Sequence, residues 1–406
     1  MRSIRLAVIF DQQIHAGGGY QQALNAALLI RGLPSDLVDV VYFSTQKENI
    51  ATLALYGMKT VYIDLSFFKK VRMYVRRNLY DPRLLRFFKL FERYSPFEQQ
   101  LIKNKIDLVY FLSPSSWANS LDELNYITTV WDLCHRDNPE FPEVRWSRQL
   151  EARDRNYLAI FPRAVAIFVD SEHGRTNLVR CYGIDKDRVH VMPFQASAAL
   201  RWNVAKVVRG NINVVEKYAL DVPYVFYPAQ FWAHKNHVYL LQGLRTLEMR
   251  HSLKVGAIFA GGDKGNRTYI ENYVRGLGLE SRVRFAGFVS DEEIFELYRQ
   301  SLALVMPTYF GPTNLPPLEA FELGVPVLYP DKAGLREQVG DAAMLMDLKD
   351  PGSMADNLRR LIFDEQLRAQ LIRRGKMRTE IYNSVDRVAI LRSVIEEFRC
   401  RRLCWA

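Results

Sequence analysis

Between Pro307 and Val327 the chain reads Pro-Thr-Tyr-Phe-Gly-Pro-Thr-Asn-Leu-Pro-Pro-Leu-Glu-Ala-Phe-Glu-Leu-Gly-Val-Pro-Val. The pattern is a strand end, a glycine turn, a helix, a glycine stop and a second strand. Thr313 or Asn314 suits the cap of that helix, the prolines fit its first turn because no amide donor is lost there, and Gly324 suits its end. A helix that starts at the carboxyl end of a buried strand presents unpaired amides and a positive dipole, an arrangement that favours a phosphate or pyrophosphate. Glu319 lies one turn further in, where a carboxylate can accept hydrogen bonds from ribose hydroxyls. An ordinary capped helix with a surface glutamate carries the same local pattern.

The elements that must position this segment alternate between short β-rich runs and helical stretches. Leu6–Phe10, Val38–Ser44, Val61–Asp64, Leu108–Leu112, Ile127–Trp131, Ala166–Asp170 and Val189–Met192 form a first series. Tyr224–Tyr227, Val255–Ala260, Val283–Phe285, Ala303–Met306, Val327–Tyr329 and Ala343–Leu345 form a second. Strands alternating with helices predict parallel α/β sheets, here two Rossmann-like domains over 1–195 and 196–384. Residues 385–406 read as an amphipathic helix that packs back on the first domain. Tandem open α/β sheets place their ligand crevices at the carboxyl ends of strands, so a cleft between the domains is the expected site.

Other polar clusters are weaker. Gly17-Gly18-Gly19 follows the first strand, where small residues let the backbone approach a phosphate or sugar, although a plain turn has the same composition. Asp185-Lys186-Asp187 has the spacing of a metal-binding carboxylate pair but reads as a turn before a strand. His234 and His237 bracket Lys235 with no third metal ligand nearby, which favours capping or packing roles.

At 406 residues and 49% apolar, the chain is long enough for two cored domains. Four scattered cysteines provide neither a disulfide framework nor a zinc site, and no essential metal is expected. The short apolar start is neither a signal peptide nor a span, and no later stretch reaches spanning length, so a cytoplasmic protein with peripheral membrane contact at most is expected. The +10 formal charge suits nucleic acid, an anionic membrane or a phosphorylated ligand. Its distribution is more informative: nine basic residues lie between Lys69 and Arg93 among Tyr74, Phe87, Phe88 and Phe91, the mix of an interfacial helix pair and also of a solvated helical face. No nucleic-acid-binding motif is present.

The segment around Asn314 resembles the donor-binding core of the GT4 family (glycosyl transferases group 1), retaining glycosyltransferases of the GT-B fold. There a Glu is followed by Gly-Phe-Gly-Leu-Pro and a second Glu eight positions on. Leu315, Pro316, Glu319, Ala320 and Gly324-Val325-Pro326-Val327 match. The first Glu falls on Gly311, and Pro312-Thr313-Asn314 replaces Gly-Phe-Gly, a variant similar to that of polysaccharide-building members. Phe226–His237 looks like the first strand and loop of the family's donor domain, with Lys235-Asn236 at its end and Ala229-Gln230 where an Arg is usual. The resemblance implies that Lys235 faces the donor diphosphate, that Gly262 and Phe288 end strands beside the nucleotide, and that Gly18 and Gly19 belong to the glycine loop. Thr313, Asn314, Leu315 and Glu319 complete the implied donor set. Asp132 and His135 stand in the family's His-Asp region as acceptor-side candidates, with Trp131 in place of the usual His.

The resemblance implies a GT-B fold and transfer, with retention, from a nucleotide-diphosphate sugar to a hydroxyl of a glycan or lipid-linked acceptor in cell-surface polysaccharide synthesis. Its co-substrate is the nucleotide sugar, without further cofactor. An epimerase or phosphorylase on the same fold, and a non-catalytic nucleotide- or glycan-binding scaffold, are the competing readings.

Overall fold

The computed structural model describes residues 2–13, 18–78, 93–196, 212–311 and 313–405. It divides into two compact units, one formed by Met1–Leu133, Glu151–Met192 and Asp386–Ala406, the other by Cys134–Leu150 and Pro193–Val385.

The first unit is built on β1 (Ile4–Phe10), β2 (Val38–Ser44), β3 (Thr60–Tyr62), β4 (Leu108–Phe111), β5 (Asn125–Val130), β6 (Ala166–Val169) and β7 (Val189–Val191). All pair in parallel, in the order β3-β2-β1-β4-β5-β6-β7. The central strands are buried on both faces, which is why they are continuous apolar runs. In β1 the side chains alternate between two cores: Ala7 and Ile9 enter one, and Leu6, Val8 and Phe10 the other. The helix Arg387–Arg402 contributes Leu391, Val394, Ile395 and Phe398 to the second core, an i, i+3, i+4, i+7 stripe that covers one face of the sheet.

The second unit contains β8 (Tyr224–Pro228), β9 (Gly256–Ala260), β10 (Val283–Gly287), β11 (Ala303–Val305), β12 (Val327–Pro330) and β13 (Met344–Met346), parallel in the order β10-β9-β8-β11-β12-β13. Each of the thirteen strands overlaps one expected from the sequence. Residues 134–150, counted with the first domain in the sequence reading, cluster with this second unit. The short helix Pro142–Arg145 and the preceding Phe141 account for this: Phe141 packs against Tyr309 and Phe310, and Glu143 binds His234.

Each sheet reverses its winding once, between β1 and β4 in the first unit and between β8 and β11 in the second. Loops at the carboxyl ends of such a strand pair diverge and leave a crevice. In the first unit that position holds Asp11 and Ser113, and in the second the 229–236 and 306–314 loops.

Candidate active site

In the second unit, β8 runs into a short turn, Ala233–Lys235, followed by Asn236 in the left-handed conformation at φ 54° and the helix His237–His251. Tyr227 Oη donates to the Lys235 carbonyl at 2.9 Å, and the Phe231 amide donates to the Gly262 carbonyl at 3.0 Å. The Lys235 ammonium reaches Asn314 Oδ1 at 3.3 Å, which ties the loop after β8 to the helix Leu315–Glu322 beyond β11.

Asn314 occupies the cap position of that helix, yet its side chain makes no capping bond. Its Nδ2 instead donates to the Gly311 carbonyl at 2.7 Å and to Tyr329 Oη at 2.6 Å, while Gln338 binds the Asn314 backbone on both sides, accepting at 3.0 Å and donating at 2.5 Å. Of the two cap candidates, Thr313 and Asn314, the second takes the position, but without the side-chain capping bond, because its carboxamide is drawn to other partners. Pro316 and Pro317 carry no amide hydrogen, so Leu315 supplies the amide of the first turn. The Thr313 hydroxyl, on a residue 8% exposed, has no hydrogen-bond partner among the described residues.

Gly311 has φ +105°, and a Cβ there would lie 2.8 Å from Asn314 Oδ1. A side chain at 311 would therefore crowd the Asn314 carboxamide, which would have to shift.

Glu319 faces inward along its helix, where Tyr298 Oη donates to Oε2 at 2.8 Å. Burial pushes its carboxyl up to about 7, with the Tyr298 hydrogen bond opposing and the Asp291 charge adding to the rise. Gly262 and Phe288 are brought together: a Cβ on Gly262 would lie 3.8 Å from the Phe288 ring, which is 73% exposed. His237 is fully buried among Tyr227, Phe231 and Phe259, without a hydrogen-bond partner for either nitrogen among the described residues. Burial, then the charges of Lys235 and His234, push it down to about 3, so it is a neutral packing residue.

His135 lies in the short helix Cys134–Asp137 of the second unit and is 1% exposed. Asp132 belongs to the first unit, where Arg153 contacts its carboxylate and its carbonyl, both at 2.9 Å. Gly18 and Gly19 open the helix Gly18–Leu29, and Gly17 lies outside the described residues. Gly19 abuts the Trp131 indole so closely that a Cβ would sit 2.6 Å from the ring.

Sequence reasoning missed three groups. Asp11, the first residue after β1, accepts from Ser113 Oγ at 2.7 Å; burial raises its carboxyl despite hydrogen bonds from Ser115 and Ser113. Its place at the winding reversal was the available signal. Glu143 and Gln338 had no local signal, since both act on residues far away in the chain.

Residues 210–378 match the family described as glycosyl transferases group 1. They form a glycosyl transferases group 1 domain. The O-antigen chain mannosyltransferase B of Escherichia coli is 25% identical over 250 residues, covering 61% of this chain and 64% of that relative. The chain thus spans less than two thirds of that relative's length. Among solved structures, Anabaena Alr3699/HepE in complex with UDP superposes with a TM-score of 0.65 at 15% identity, over 98% of this chain and 100% of that one. WaaG, a glycosyltransferase involved in lipopolysaccharide biosynthesis, superposes with a TM-score of 0.64 at 14% identity, over 97% and 98% of the two chains. The fold is GT-B, with two Rossmann-like α/β domains.

Two predictions follow from the geometry of this group 1 domain. Gly311→Glu is expected to destabilise it by roughly 1–3 kcal/mol, through positive-φ strain and the clash with Asn314. Adding Asn314→Gly should recover the steric part, so a double-mutant cycle in urea shows coupling; strictly additive effects would contradict the steric conflict. Glu319 supplies the second. Its folded-state pKa lies above the ordinary 4.5, so the stability contributed by the protonated acid is complete below about 4.5 and is lost as pH rises through about 7. Unfolding free energy should decline across that window in the wild type and change less in Glu319→Gln, measured by urea titration at several pH values.

Proposed function

We propose that this protein transfers a sugar, with retention, from a nucleoside-diphosphate sugar to a hydroxyl of a growing cell-surface glycan or its lipid-linked precursor. The observation that carries this reading is the Lys235 ammonium held by Asn314 at the start of the helix Leu315–Glu322. An ammonium at the start of a helix is complementary to a diphosphate that gains charge as it leaves. As the bond from the anomeric carbon to the diphosphate breaks, the acceptor oxygen bonds to that carbon on the same face. The acceptor proton passes to the departing phosphate oxygen. Charge stabilisation by Lys235 acts most strongly at this point and so lowers the barrier rather than merely tightening binding.

Glu319 receives the ribose hydroxyls, and the exposed Phe288 ring beside Gly262 offers a face for the base. The UDP in the Anabaena structure supports a nucleoside diphosphate as the leaving group. Asp11, Asp132 and His135 are the acceptor-side groups in this reading, and Gly18 and Gly19 allow close backbone approach. The O-antigen and lipopolysaccharide roles named for the two relatives support a polysaccharide acceptor. The reading includes no metal, since Lys235 and the helix start supply the positive charge.

Membrane contact belongs to the same proposal. The helix Phe67–Asn78 leaves Phe67, Phe68 and Tyr74 exposed beside Lys69 and Lys70. Residues 79–92 of the basic stretch lie outside the described residues. Aromatic rings beside ammonium groups suit the headgroup boundary of an anionic bilayer on the cytoplasmic side. No helix among the described residues is long and apolar enough to cross a membrane.

Lys235→Ala should lower sugar transfer by at least about 100-fold while leaving the melting temperature close to wild type. Wild-type turnover in this variant would refute the donor-site assignment. The protein should float with vesicles containing phosphatidylglycerol and not with pure phosphatidylcholine, and Phe67→Ser/Phe68→Ser should weaken that flotation. Equal partition to both vesicles would remove the membrane component.

A further inference from the structure

His234 immediately precedes Lys235 and is clamped on three sides. Glu143 Oε1 accepts from the His234 amide at 2.9 Å and also contacts its Nδ1. The His234 carbonyl accepts from the Tyr309 amide at 2.9 Å and from Thr308 Oγ1 at 3.5 Å. The imidazole stacks on Phe310 with centroids 3.8 Å apart and planes within 16°. Phe141, two residues before Glu143, packs on Phe310 and Tyr309, and Lys332 Nζ caps the Tyr309 carbonyl at 2.6 Å.

These contacts join three separate segments: 141–143, 234–235 and 308–310. The other Glu143 oxygen is buried without a hydrogen-bond partner among the described residues. A half-satisfied buried carboxylate is costly for a contact that only glues surfaces together, and an apolar side chain of similar size would serve packing better. Burial alone would raise the Glu143 carboxyl, but the hydrogen bonds from His234 outweigh it and hold the group below its ordinary value. The carboxylate is therefore committed to His234.

We infer that Glu143 is a positioning residue for the diphosphate site: through His234 it fixes the backbone that aims the Lys235 ammonium at the donor's phosphates. The inference rests on the donor-site reading above. It assigns to the segment after β5 a part in donor recognition, through a residue more than ninety positions away from the lysine it serves.

A merely structural role would weaken all ligands alike or lower the melting temperature. A positioning role selectively removes the advantage of a diphosphate over a monophosphate. The test measures affinities of the full chain for UDP and UMP, and for GDP and GMP, by calorimetry. Wild type should prefer the diphosphate, and Lys235→Ala should lose that preference. Glu143→Ala should lose roughly tenfold of it, with monophosphate affinity changed less than about twofold, since a small displacement of a charged group from its working position is costly. Glu143→Gln, which keeps the volume and one acceptor oxygen, should retain part of the preference and is read alone if the alanine variant does not fold. A diphosphate-to-monophosphate ratio equal to wild type in Glu143→Ala or, where only that variant folds, in Glu143→Gln, together with its loss in Lys235→Ala, would overturn the positioning role and leave the donor site standing. No diphosphate preference in the wild type would overturn both.

Discussion

The carboxamide of Asn314 lies where three parts of the second unit meet, and its hydrogen bonds determine what each part can do. One oxygen receives the Lys235 ammonium, while the nitrogen is shared between the Gly311 carbonyl and Tyr329 Oη. A carboxamide is neutral, so it orients the lysine without cancelling its charge. An aspartate in the same place would pair with the ammonium and offset its charge. The glycine at 311 follows from this choice, since any Cβ there would press on the amide.

Around that node the unit buries an unusual set of titratable groups, each restrained in a different way. Glu319 is drawn toward its neutral form by burial with one tyrosine as partner, whereas Glu143 is kept ionised by two contacts from His234. His237 has no such partner among the described residues and is held neutral inside an aromatic box. Glu143 is thus kept charged while Glu319 and His237 are pushed toward their neutral forms, because their surroundings differ.

The α/β alternation and all thirteen strands were legible because a parallel strand buried on both faces must be an apolar run, and such runs are local. The two loops that carry Lys235 and Asn314 lie at the reversal of one sheet, and the Lys235 ammonium meets the Asn314 carboxamide there. Asp11 was overlooked although it follows the first strand directly, and Asn314 takes the expected cap position without making the side-chain capping bond. A capping side chain is chosen by competition among acceptors and donors, and here Tyr329 and the Gly311 carbonyl win.

By itself the sequence determined the class of each domain and the approximate place of each strand, properties of short stretches governed by burial periodicity and turn chemistry. Only the tertiary structure decided that residues 134–150 pack with the second unit and that Glu143 grips the residue before Lys235. It also decided that Gln338 braces Asn314 and that Tyr298 engages Glu319. These contacts join residues from 21 to 91 positions apart. Their strength depends on desolvation and distance, which packing creates and no local pattern of residues encodes.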